Sequence, residues 1–169
     1  MGKLIGFLIL LAVLAGAAWI GWHVVESRRL ALDESVDFLA FESFARTGQP
    51  NEFLMAPEDA TAAPADAVSP IFPATPEEII QAFVAVINET PRATVLAISD
   101  DGLALEAAQR SATFGFIDFI SIRAFPAGED LASFAIYSRA RVGYYDFGVN
   151  RDRVLEWVDR VRARITPET

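Results

Sequence analysis

The sequence predicts an α+β fold: a two-layer domain with two helices on one face of a four-stranded antiparallel sheet, in the order α-β-β-β-β-α, behind one N-terminal transmembrane helix. Three observations predict it. Residues 4–25 carry no charged side chain, a capped amphipathic helix signal begins at Thr75, and four apolar runs separated by turn residues lie between positions 93 and 142. The chain of 169 residues thus divides into an anchor (1–27), an acidic Pro/Ala-rich linker and arm (28–74) and the α+β domain (75–166), the last of ordinary size for one core.

The uncharged stretch would measure about 33 Å as a helix, the thickness of a bilayer's hydrocarbon core. Trp19, Trp22 and His23 fall at its distal end, where amphipathic rings favour the headgroup region, and Glu26, Arg28 and Arg29 close it. Ala15-Gly16-Ala17 resembles a signal-peptidase site, but the apolar run continues past it through Ile20, so an uncleaved anchor is expected. Lys3 and the terminal amine oppose Arg28 and Arg29 in setting orientation. A short leader before a long domain is the layout of a signal anchor, which places the chain in the inner membrane with its domain in the periplasm.

Residues 26–74 hold Pro50, Pro57, Pro64, Pro70 and Pro73 and sustain no period, as expected of an extended linker. Val36, Phe38, Leu39, Phe41 and Phe44 are apolar enough for a short helix on the bilayer or on the domain, and Phe53 and Leu54 for a docking arm. Thr75-Pro76-Glu77-Glu78 is a capping box with Pro at the first helical position, its carboxylates at the positive end of the helix dipole. Ile79, Ile80, Phe83, Val86 and Ile87 make one apolar stripe, giving a helix over 76–88.

Strands are expected over 93–99, 103–111, 116–125 and 131–142, with Asp100-Asp101-Gly102 as a hairpin turn and 126–130 as a loop. In the last strand Ala132, Phe134, Ile136 and Ser138 alternate with Ser133, Tyr137, Arg139 and Arg141, so one face is covered. The second helix is expected after Asn150 as its N-cap, with Val154, Val158, Val161 and Ile165 inward.

Composition removes several chemistries. The chain has no Cys, and its single His is His23, so thiolate catalysis, Ser-His pairs and His- or Cys-ligated metals are excluded from the domain. The net charge of −9 is concentrated upstream: residues 33–78 carry ten acids against Arg46, whereas residues 91–165 balance ten Arg with ten acids. Nucleic acid is therefore not an expected partner. No cofactor is expected.

Two stretches go beyond periodicity: Arg110-Ser111-x-x-Phe114-Gly115-Phe116-Ile117-Asp118, and Ser138-x-x-Arg141-Val142-Gly143-Tyr144-x-Asp146-x-Gly148-Val149-Asn150-Arg151-x-Arg153. Together they resemble the domain of unknown function 1499 family of bacteria and plants, over about residues 75–165 and more weakly at Pro50-Asn51. Ala140 stands where that family often carries a second Ser. The resemblance implies the fold and no reaction.

The candidate polar site is Arg110, Asp118, Ser138, Arg141, Tyr144, Asp146, Asn150 and Arg153. As a scaffold, Gly143 and Gly148 form a tight strand-to-helix corner, Asp146 bonds its amides, and Arg110–Asp118 and Arg141–Asp146 pair across strands. As a site, Arg141, Arg153 and the amides at the helix start receive an anion. The leading expectation is a non-enzymatic, membrane-anchored module that binds a membrane-protein partner or an amphipathic ligand. Its rival is a hydrolase using Asp118 and Asp146 with Arg141 and Arg153.

Overall fold

The computed structural model describes residues 12–19, 36–113 and 115–166. Of the stretch read as an anchor, residues 12–19 are helical and exposed; the rest of 4–25, the linker up to residue 35, and Phe114 lie outside the described residues. Among the described residues no helix is long and apolar enough to cross a membrane.

The domain is α+β, but its sheet has six strands rather than four and is mixed rather than wholly antiparallel. Strands β1 (Glu52–Ala56) and β2 (Ala67–Val68) precede helix α1 (Pro76–Glu89); strands β3 (Ala93–Ile98), β4 (Ala104–Arg110), β5 (Ile117–Gly128) and β6 (Leu131–Ala140) and helix α2 (Val149–Ile165) follow. The sheet order is β2-β1-β6-β5-β4-β3, with β1 and β2 parallel and every other pair antiparallel. The two additional strands come from the stretch read as linker. Every residue of β1 is buried, with Phe53 and Met55 toward the helices and Leu54 and Ala56 on the opposite, outer face. A strand covered on both sides shows no alternation in its sequence, and short apolar runs among prolines read as linker.

Helix α1 starts as its capping box requires: the Glu78 amide donates to Thr75 Oγ1 (3.2 Å) and the Thr75 amide to Glu78 Oε2 (2.8 Å). Its stripe of Ile79, Ile80, Phe83, Val86 and Ile87 is buried. Phe83 meets Phe134 edge-on at 5.0 Å, and Phe72 stacks on Phe134 at 6.1 Å. Burying each such ring contributes roughly 1.5–3 kcal/mol. Strand β5 runs through Pro126, read as loop, to Gly128, with a register shift between those two residues. Beyond Arg123 it has left the β4 ladder, so a residue without an amide hydrogen is tolerated on that side.

Helix α2 does not use Asn150 as its cap. The N-cap is Gly148, at φ 84°, without a side-chain cap hydrogen bond, and Asn150 is buried inside the first turn. Both helices cover one face, as expected, while residues 36–48 cross the outer face. There the expected short helix is one turn, in which the amides of Ser43 and Phe44 donate to the Ala40 carbonyl. Phe41 packs in a second apolar cluster with Leu54, Ala135 and Tyr137.

Candidate functional site

Four strand ends, at Glu52, Arg110, Ile117 and Ala140, and the start of α2 converge at one end of the sheet. Five of the eight predicted site residues form one network there, buried except at Asp146, with Arg153 as its hub. Arg153 Nη2 donates to Asp118 Oδ2 (2.5 Å), Nη1 to Ser138 Oγ (2.8 Å) and Asn150 Oδ1 (2.6 Å), and Nε to Gln109 Oε1 (2.6 Å). Ser138 Oγ donates to Asn150 Oδ1 (2.6 Å). Asn150 Nδ2 donates to the Asn51 carbonyl and to Asp146 Oδ2, both at 2.8 Å.

Asp146 takes the role first given to Asn150. Its carboxylate accepts from the amides of Gly148 (3.0 Å) and Asn150 (2.8 Å). The start of α2, read as a place for an incoming anion, thus already holds one supplied by the chain. The ion pairs Arg110–Asp118 and Arg141–Asp146 do not form. Register explains the first: Gln109, not Arg110, lies opposite Asp118, so Arg110 projects to the other face. Burial raises the Asp118 carboxyl above its ordinary range, Arg153 opposes that shift, and the charge of Asp146 adds to it.

Arg110 and Arg141 lie on the outer face, each with a buried Nη1 that has no hydrogen-bond partner. Tyr144 sits in the loop at 143–148 and is 65% exposed, with Tyr145 at 67% and Phe147 at 93%. The rings touch in series, with centroids 5.5 Å and 6.4 Å apart. Phe147 has φ 56°, a conformation costing about 1–3 kcal/mol for a residue with a side chain, and one that clusters at functional loops. Beside this loop opens a cleft of about 830 Å³ whose walls include Phe44, Arg46, Pro50, Ala63, Tyr144 and Tyr145.

A family model described as a protein of unknown function (DUF1499) matches residues 45–161. The chain belongs to the DUF1499 family. No curated protein matches it. The DUF1499 match begins inside the segment read as linker, so it takes in Arg46, Asn51 and Glu52, in agreement with the six-stranded sheet.

Of those residues, the resemblance drawn from the sequence reached only Asn51, and weakly; Arg46 and Glu52 were missed. Glu52 accepts from Arg46 Nε (3.0 Å), Thr47 Oγ1 (2.7 Å), the amides of Thr47 (3.2 Å) and Gly48 (3.1 Å), and the Tyr137 hydroxyl. Burial alone would raise the Glu52 carboxyl; the donors Tyr137, Thr47 and Arg46 outweigh it and bring it down to about 2. Burial and Glu52 together push the Tyr137 hydroxyl up. Glu106, buried on the same face, accepts from Ser121 Oγ (2.7 Å) and the Leu39 amide (3.0 Å); burial raises its carboxyl despite both donors. The two acids clamp residues 39–48 to the outer face. The sequence signal was a Glu at the head of one apolar run, EFLMA, and inside another, ALEAA. Among the described residues no three acidic, His or Cys side chains cluster so as to hold a metal.

Proposed function

We propose that this DUF1499 chain is a non-enzymatic binding module, anchored in the inner membrane through residues 4–25 with its domain on the periplasmic side, and that it engages an amphipathic ligand at the bilayer surface. One observation carries the reading: Tyr144, Tyr145 and Phe147 stand exposed beside an open cleft, with Phe147 held in a left-handed conformation. Apolar rings presented in that way are features of a contact surface. By contrast, the carboxylate best suited to acid-base work, Asp118, is tied to Arg153, and Asp146 to the backbone of α2. The reach of the chain fits as well: residues 26–35 span at most about 36 Å between an anchor and Val36, which keeps the domain near the membrane.

A photo-reactive phenylalanine at position 147 tests this in native membranes, with Val68, exposed on the β2 edge, as the control position. Lipid adducts at 147 and none at 68 are expected. Adducts with a protein would keep the module and replace lipid by a membrane-protein partner. Equal labelling at both positions, or a turnover abolished by Asp118→Asn in a variant that still folds, would refute the proposal.

A further inference from the structure

We propose that Arg110, Arg139 and Arg141 form an oxyanion site on the outer face of the sheet, and that its ligand is a phosphate group. Strand register brings the three together. Arg110 pairs with Ile117 across β4 and β5, and the Arg141 amide donates to the Ile117 carbonyl from the β6 side (3.1 Å). Arg110 and Arg141 therefore flank Ile117 at a separation of about two strand spacings, close to 10 Å between backbones. One row further, Arg139 pairs with Phe119, and the guanidinium carbons of Arg139 and Arg141 both lie 5.8 Å from the Phe119 ring centroid. That ring is within cation–π range of both cations.

No described carboxylate touches the cations of this corner, and the charge of Arg139 acts on Glu106 only from a distance. Among the described residues Arg92, Arg110, Arg139 and Arg141 form no ion pair, whereas every other described arginine pairs with a carboxylate. Arg92 adjoins the group, since its Nε donates to the Arg110 carbonyl (3.2 Å). The acids nearby are engaged elsewhere. Glu52, opposite Arg139 on β1, is saturated by Arg46, Thr47, Gly48 and Tyr137, Glu106 is bonded to Ser121 and Leu39, and Asp118 belongs to the opposite face. In a chain of net charge −9, an acid partner would have been easy to supply.

Two buried guanidinium nitrogens without acceptors cost desolvation and gain nothing within the chain. Arg110 and Arg141 are only partly buried as residues and Arg139 is exposed, so an external oxyanion is received by the donors that remain open beside those two nitrogens. Guanidinium forks match phosphate oxygens in pairs, and three forks, one from β4 and two from the end of β6, suit a group with three or four oxygens better than a two-oxygen carboxylate. The site shares the outer face with residues 39–48, the side on which the chain enters the domain from its N-terminal segment. A phosphate there belongs to a lipid headgroup or to a soluble phosphate.

Calorimetric titration of the full chain in uncharged detergent micelles tests the site, with inorganic phosphate in one arm and micelles doped with phosphatidylglycerol in the other. Saturable binding in either arm is expected, and the stronger arm identifies the source. Arg110→Gln with Arg141→Gln should weaken it by about tenfold or more, the usual effect of losing charge-assisted hydrogen bonds. The same pair should melt close to the parent in anion-free buffer, because it deletes cations without acceptors and loses only the contact of Arg141 with the Phe119 ring. Arg151→Gln, on exposed α2, should bind as the parent does. No saturable binding by the unaltered chain in either arm, or undiminished binding by the double variant, would overturn the site, as would a melting temperature in anion-free buffer lowered by more than one ring contact accounts for, since that marks purely structural cations. The inference does not rest on the aromatic loop: phosphate binding with silent cross-linking at 147 would remove the proposed module and leave this site.

Discussion

The two sides of the sheet at this end use the same side chain in opposite ways. On the helix side, Arg153 directs its donors at Asp118, Ser138, Asn150 and Gln109 and is almost wholly buried. On the outer side, Arg110 and Arg141 keep nitrogens that are buried and unbonded. A guanidinium closed on all sides by acceptors specifies the fold; one that lacks them on a partly exposed side chain is the kind assigned to an outside ligand. The same contrast separates two readings of the polar motif that its residue types alone leave equal.

The largest expected effect comes from removing the hub. Arg153→Leu leaves the Asp118 carboxylate buried without its cation and should cost about 3–5 kcal/mol in denaturant unfolding. Adding Asp118→Asn should recover part of that loss, because the stranded charge is gone. A cost near zero for the single variant would erase the distinction between the two sides.

A smaller effect sharpens the outer side through pH. Glu52 has its carboxyl depressed to about 2 from 4.5, so its contribution is present above pH 4.5 and is lost as pH falls toward 2. Glu106 is raised above 4.5, so its contribution is full below that pH and is lost as pH rises through the folded value. Glu52→Gln should therefore flatten the acid limb of stability between pH 4.5 and 2. Glu106→Gln should stabilise the domain at neutral pH and leave it unchanged below pH 4.5. Melting curves of both variants across pH 2–8 would show it, and identical profiles would contradict the clamp.

Much of this architecture was legible in the residues. Thr75-Pro76-Glu77-Glu78 announced α1 because a capping box is local chemistry, and Phe134 with Ile136 announced their face of β6 because alternation is local as well. Strand β1 was not legible, since residues covered on both sides do not alternate, and the prolines around it suggested linker. Gly148 displaced Asn150 as the N-cap because the chain turns left-handed there, and Asp146 accepts the amides of the first turn. Within the site, Ser138, Asp146, Asn150 and Arg153 were found from one sequence run. Gln109 and Asn51 were missed because their partners are 44 and 99 residues away. Choosing Gln109 over Arg110 as the partner level with Asp118 depends on a strand register that composition does not contain.

The central claim is that one set of arginines at this end of the sheet holds the fold while the other receives a phosphate. Nitrogen-15 spectra of the arginine Nε–H groups, recorded on the full chain in micelles with and without phosphate, test both halves at once. The signals of Arg110, Arg139 and Arg141 should move saturably while that of Arg153 stays in place. Movement of Arg153, or no movement in any of the four, would contradict it.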